Sequence, residues 1–289
     1  MAGNEIDALR WEQRQRLMLL EARVIWAGQL STRDLREAFG ISRAQASKDF
    51  ALYQELAPRN LHYDLSAKCY RPTGRFEPLL LHGTAREFLQ VLRNRGLGTD
   101  SPLAVIADGV APVEILDPPE REFDVRILQR VTLAVRSQRW LRIEYQSMSH
   151  PEPRELLIAP HALGHAGRWH ARAWSMTHED YRDFLLSRIR GVPELGEPAG
   201  ERAGDDWDWN NFVTVRVAAH PGLSAPQRQV VEADWNMRSG VYERPVRVAL
   251  VPYFLRTLNV GGDDRERPAA QQQVVLVNRE ELEAFDRLR

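Results

Sequence analysis

The stretch that decides the fold lies between Leu156 and Ile189. It reads Pro160-His161-Ala162-Leu163, then Gly167-Arg168-Trp169-His170-Ala171-Arg172, then Arg182-Asp183-Phe184-Leu185-Leu186-Ser187-Arg188-Ile189. These are three short strand-like pieces, each with polar or cationic side chains set among apolar ones. Alternation along Trp169–Trp174 puts His170 and Arg172 on one face, with Trp169, Ala171 and Ala173 on the other. Along Phe184–Ile189, Arg188 falls on the face of Phe184 and Leu186. A guanidinium inside a small sheet domain is costly unless an anion or a partner meets it. Arg172 and Arg188 are therefore expected either to meet a ligand or to pair with Glu144, Glu155 or Asp183.

Upstream of this stretch the pattern changes to helical spacing. Leu17, Leu20, Val24 and Ala27 mark an amphipathic helix over residues 10–27, broken at Gly28. Ser31-Thr32-Arg33-Asp34 is a capping box, and Leu35, Ala38 and Phe39 form the apolar side of the helix it opens. After the Gly40-Ile41 turn, Ser42-Arg43-Ala44-Gln45 is a second capping box. It opens a helix that runs to about Leu56 and is stopped by Pro58. Two short helices joined by a glycine-containing turn form a helix-turn-helix. Leu61–Asp64 and Lys68–Arg71 around a short turn read as a hairpin, and hence a wing.

In such a motif the second helix enters the major groove. Ser42, Arg43, Gln45 and Ser47 are the candidate base readers, since Arg suits guanine and Gln suits adenine through paired hydrogen bonds. Lys48 is a candidate phosphate contact, and Ala44 and Ala46 are small enough to permit close approach. His62 and Lys68 are candidate wing contacts. The first 75 residues carry twelve Lys/Arg against nine Asp/Glu, and both lysines of the chain, Lys48 and Lys68, lie there.

The remaining segments complete an α+β multidomain layout. Helix is expected in part of residues 76–119, with Thr84–Glu87 as a start signal and Pro102, Pro112, Pro118 and Pro119 punctuating a linker. A further helix is expected from Glu120 to Arg136. Strands are expected at Trp140–Gln146, Glu155–Ala159, Trp169–Trp174 and Phe184–Ile189, followed by a polar connection from Gly196 to Asn211. Phe212–Ala218, Arg247–Val251 and Gln273–Val277 read as strands, and Ser224–Trp235 and Arg279–Leu288 as helices. The expected divisions are a winged helix-turn-helix over 1–76, a helical linker over 77–122, a small sheet domain over 123–195 and a C-terminal α+β domain over 211–289.

The 289 residues, 43% hydrophobic and 27% charged, fit a soluble multidomain protein. The single cysteine, Cys69, cannot form an internal disulfide, which fits a reducing cytoplasm. No apolar run is long enough for a membrane span. There is no Gly-rich phosphate loop, no cysteine pair and no nucleophile elbow, so neither an enzyme nor a cofactor or metal is expected. His178-Glu179-Asp180 reads as a hairpin loop. The tryptophans of Asp205-Asp206-Trp207-Asp208-Trp209 are expected to pack on a neighbouring domain.

The three pieces in order behind a helix-turn-helix resemble the WYL domain of bacterial transcription regulators, a small Sm-like β-barrel. Arg182-x-Phe184-x-Leu186-x-Arg188-Ile189 and Pro160-His161-x-Leu163 carry the resemblance. The Trp-Tyr-Leu triplet itself departs to Trp169-His170-Ala171, a variant similar to the CapW/BrxR-type regulators of phage-defence operons. The resemblance implies a barrel pocket lined by Tyr145, Ser147, His161, His170, Arg172 and Arg188, suited to a nucleotide or single-stranded nucleic acid. It also implies ligand sensing by residues 123–195 and, through dimerisation by residues 211–289, a homodimeric repressor on an inverted-repeat operator, relieved by that effector. His170 is expected to act as a pH handle there, gaining charge near its reference pKa. A DNA-damage-responsive activator of the same layout and a nucleic-acid-processing enzyme are the alternatives.

Overall fold

The structure, a computed structural model, describes residues 6–96, 114–116, 119 and 121–287. Pro102, Pro112, Pro118, Glu120 and Leu288 lie outside the described residues. The chain divides into two compact units, residues 1–117 and 118–289.

The first unit contains α1 (Trp11–Ala27), α2 (Thr32–Phe39), α3 (Arg43–Leu56), the hairpin β1 (Leu61–Asp64) and β2 (Cys69–Pro72), and α4 (Ala85–Gly96). Glycines Gly28 and Gly40 close α1 and α2 at φ of 70° and 63°, the left-handed region that lacks a penalty only for glycine. Ser31 and Asp34 complete the expected capping box. The second box is half-formed. Ser42 Oγ accepts from the Gln45 N–H at 3.1 Å, but the Gln45 side chain donates to Asp49 at 3.1 Å rather than turning back. Thr84 caps α4 through the Glu87 N–H at 3.2 Å. An extra bridge joins Leu30 to Tyr70 beside the hairpin.

Leu17, Leu20, Leu35, Phe50 and Tyr53 centre the core of this unit. Two carboxylates, Glu21 and Asp49, lie inside it with no exposed surface. Glu21 accepts from the N–H groups of Leu79, Leu80 and Leu81 at 2.5, 2.9 and 3.0 Å and from the Tyr53 hydroxyl at 2.9 Å. Burial, with the Glu21 charge, pushes the Tyr53 hydroxyl pKa far up. Asp49 accepts both Arg16 Nε–H and Nη2–H, at 2.7 and 3.2 Å. Buried charges are tolerated when donors or an opposite charge meet them, and both carboxylates accept several hydrogen bonds.

The second unit opens with α5 (Val125–Ser137), capped by Asp124 and beginning five residues after the start of the expected helix Glu120–Arg136. Five antiparallel strands follow: β3 (Arg139–Tyr145), β4 (Arg154–His165), β5 (Trp169–Ser175), β6 (Asp180–Leu185) and β7 (Ile189–Pro198). Their order is β6-β5-β4-β3-β7. The outer strands β6 and β7 do not pair with one another, so the sheet is not closed into the expected barrel. A 3-10 turn over Leu186–Arg188 explains this. It satisfies its own backbone through the Ile189 N–H to Leu186, and the chain then rejoins the sheet opposite Tyr145 on the far edge. Ile127, Val131, Leu141, Ile143, Ile158 and Phe184 fill the space between α5 and the sheet.

A connection holding the short helix α6 (Trp207–Asn210) leads to β8 (Phe212–Ala219), α7 (Ala225–Asp234), β9 (Val241–Arg247), α8 (Val251–Leu258), β10 (Val274–Leu276) and α9 (Arg279–Arg287). The sheet order is β10-β8-β9. The expected strand over Arg247–Val251 is instead the end of β9, a 3-10 turn and the start of α8, with Pro252 in its first turn. A short apolar run such as Val248-Ala249-Leu250-Val251 does not distinguish strand from helix, and proline is welcome where a helix begins.

Candidate functional site

The helix-turn-helix presents one face of α3. Ser42, Arg43, Ala44, Ser47 and Lys48 are exposed, whereas Ala46, Phe50 and Tyr53 lie on the opposite, buried side. Ala46 therefore packs in the core and cannot ease an approach to DNA. Gln45 is half-buried and engaged with Asp49. His62 is exposed on β1, and Lys68 is exposed at the hairpin turn with φ of 52°. The turn is shaped by Asp64, whose carboxyl accepts from Ser66 and Ala67 and is held at about 2, chiefly by the Ser66 hydroxyl.

In the five-stranded sheet the expected pocket residues separate into two groups. Arg172 on β5 is 4% exposed and makes a two-pronged bond to Asp206, at 2.7 Å through Nε–H and 3.0 Å through Nη2–H. Asp183 and Asp208 stand 3.6 and 3.5 Å away. His161 Nε2 meets the same Asp206 Oδ2 at 2.8 Å. Burial opposes ionisation of Asp206, yet the bonds from His161 and Arg172 hold its carboxyl well below the usual range. Burial likewise opposes the Arg172 charge, and the bond to Asp206 and the charge of Asp183 outweigh it. The His170 ring lies 4.8 Å from that of Tyr253 on α8. The Tyr253 hydroxyl donates to Asp183 at 3.0 Å, and burial beside that carboxylate pushes its pKa up to about 12. Thus His161, His170 and Arg172 share one buried network, closed by the connection and by α8.

Tyr145, Ser147 and Arg188 stand apart from it. The Tyr145 hydroxyl accepts from the Leu185 N–H at 3.1 Å, and its ring meets Phe184 edge-on at 5.3 Å. It is a core residue of the sheet. β3 ends at Tyr145, so Ser147 does not share its strand parity; Ser147 sits in the following turn and accepts from the His150 N–H at 3.0 Å. Arg188 lies in the 3-10 turn, so strand alternation with Phe184 does not apply to it. It is half-buried, and its side chain has no hydrogen-bond or ion-pair partner among the described residues. Among the described residues, no group of His, Cys, Asp and Glu could hold a metal ion, and no helix is long and apolar enough to cross a membrane.

His170 is not the expected pH handle near its reference value. Burial lowers its pKa, outweighing the nearby Asp183. The unfolded chain binds the proton more readily, so the stability contributed by neutral His170 is full above about pH 6.5 and is lost as pH falls through the lower folded value. Urea unfolding at pH 7.5 and 5.5 should show this loss, and His170→Phe should reduce it; an unchanged pH dependence would contradict the burial effect.

Asp206 and Tyr253 were not legible as site residues from the chain itself. The first sits in a polar linker run, and the second lies two residues beyond the run Arg247–Val251 that reads as strand.

Comparison with known proteins agrees with this order of domains. Residues 12–94 match the profile of the BrxR transcriptional regulator winged helix-turn-helix domain, residues 126–193 the WYL domain, and residues 212–282 the BrxR transcriptional regulator C-terminal dimerization domain. The DNA-binding transcriptional repressor CapW of Escherichia coli (strain KTE188) is 36% identical over 96% of this chain and 92% of its own. Its namesake in Stenotrophomonas maltophilia is 36% identical over 99% and 96%, and that of Pseudomonas aeruginosa 34% over 94% and 91%. By near full-length similarity to these repressors, and by the three matched domains in sequence, the chain belongs to the CapW/BrxR family of WYL-domain transcriptional regulators.

Proposed function

We propose that the protein is a DNA-binding transcriptional repressor that acts as a homodimer on an inverted-repeat operator in the cytoplasm. The operator would belong to a phage-defence operon, with relief by a nucleotide or short single-stranded nucleic acid. The observation that carries the DNA-binding reading is the exposed row on α3. Arg43 and Ser47, and likewise Ala44 and Lys48, are four residues apart and lie on one helix face. The opposite face is consumed by the core. The dimer reading rests on the match of residues 212–282 to a dimerization domain, and two-fold symmetry then favours paired half-sites. The effector reading rests on Arg188, a half-buried guanidinium without a partner among the described residues.

Gel shifts on the DNA upstream of its gene test this reading. Arg43→Ala should cost roughly 1–3 kcal/mol on the operator and relax base preference. Lys48→Ala should weaken operator and random DNA alike and flatten the salt dependence. Nucleotides and short oligonucleotides added to the complex should release it, and Arg188→Ala should abolish that response. Unchanged operator affinity in Arg43→Ala removes the assignment of α3.

A further inference from the structure

Gln45 stands in the first turn of α3, flanked by exposed Arg43, Ala44, Ser47 and Lys48. Its Nε2 amide donates to Asp49 Oδ1 at 3.1 Å, one helical turn on. Asp49 has no exposed surface. Arg16 of α1 reaches across and donates to both of its oxygens, Nε–H to Oδ2 at 2.7 Å and Nη2–H to Oδ1 at 3.2 Å. A guanidinium gripping an acid in this two-pronged way meets a carboxylate, and a carboxylate only accepts. The contact therefore fixes which end of the Gln45 amide faces inward: the NH2 group points at Asp49. Oε1 accepts from no described residue, and it is not one of the buried polar atoms left without a partner, so it reaches solvent.

An unrestrained glutamine is ambiguous in the major groove. With Oε1 forward it accepts from an exocyclic amine, that of adenine or of cytosine. With NH2 forward it donates to guanine O6 or thymine O4. Turning the amide of Gln45 over would set Oε1 against the Asp49 carboxylate, two acceptors facing one another, and lose the bond. We propose that Arg16 and Asp49 are positioning residues that hold Gln45 with its acceptor forward. Gln45 then reads one base amine in each half-site, on adenine or cytosine of the strand it contacts, against guanine and thymine. A side chain of α1 thereby enters the base preference of α3, and the restraint is in place before DNA arrives. This inference rests on α3 as the reading helix and adds the base chemistry at one position.

Selection from randomised half-sites of the DNA upstream of the gene, followed by gel shifts on single sites, tests it. Gln45→Met, of similar length without hydrogen-bonding groups, should flatten base preference at one pair of each half-site. At that pair the parent should lose about fivefold in affinity when the preferred adenine or cytosine is replaced by its analogue lacking the exocyclic amine. Removing O4 or O6 from the opposite base should leave affinity within about twofold. In Asp49→Asn the asparagine oxygen stays with Arg16 and its NH2 faces Gln45, which turns the glutamine amide over. The folded variant should then prefer guanine or thymine on that strand. Circular dichroism establishes folding, and if Asp49→Asn does not fold, the analogue series on the parent decides alone. The proposal is overturned if amine removal leaves affinity unchanged, if removal of O4 or O6 is what weakens it, or if folded Asp49→Asn keeps the parent's preference. Arg43→Ala in the same assay separates the two readings. If it weakens operator binding while Gln45→Met changes nothing, this inference alone fails. If neither changes anything, α3 is not the reading helix.

Discussion

Asp206→Ala should destabilise the second unit by about 3–5 kcal/mol, the usual result of removing one partner from a buried ion pair. The carboxylate is 1% exposed and receives His161 Nε2, Arg172 Nε and Arg172 Nη2. Without it the Arg172 guanidinium stays out of water, with only the longer approaches of Asp183 and Asp208 to balance its charge. The helix start at Trp207 also loses its cap. Asp206→Asn keeps the shape and should cost less, since the amide oxygen still accepts while the charge is gone. Urea unfolding followed through the tryptophans measures both variants. A loss below about 1 kcal/mol in Asp206→Ala would mean that Asp183 and Asp208 move in to replace it.

Glu21→Ala should be comparably severe in the first unit, at least about 3 kcal/mol, because hydrogen bonds to a buried charge are each worth roughly 1.5–3 kcal/mol. Three consecutive N–H groups, from Leu79 to Leu81, end on this one carboxylate, as does the Tyr53 hydroxyl. Alanine leaves all four donors facing a void between α1 and the chain that follows the wing. Glu21→Gln retains one acceptor oxygen and should fall between. The melting of the winged domain and loss of operator binding should move together. If Glu21→Ala melts like the parent, the segment 79–81 has another way to satisfy its backbone.

These two carboxylates show where the sequence could be read and where it could not. Helices α1 to α3 were legible because their signals are local: Gly28 and Gly40 at the ends, Ser31 and Ser42 at the starts. The inward placement of Ala46 was also present in its spacing with Phe50 and Tyr53, four and seven residues on, though its small size suggested a different use. Arg172 as a costly buried cation was legible, and its pairing with Asp183 was among the alternatives. Its main partner was not, because Asp206 lies 34 residues away in a polar run with no periodicity. Arg188 escaped strand parity because three residues of 3-10 turn carry no distinctive side-chain pattern. The closed barrel failed at the same turn.

Lys68 carries a further consequence. Its backbone sits at φ of 52° at the tip of the hairpin, where glycine or asparagine would rest at lower energy by roughly 1 kcal/mol. The chain has 39 cationic Lys and Arg side chains, yet only two are lysines, and one occupies this strained position. Local stability alone would not select it. A long, mobile cation at the tip of the wing is what the substitution by glycine would lose. The wing is thus a place where folding preference and charge placement pull in opposite directions. Sequence optimisation for thermal tolerance would tend to replace Lys68 and so remove the cation proposed as a wing contact to DNA, while making a better-behaved domain.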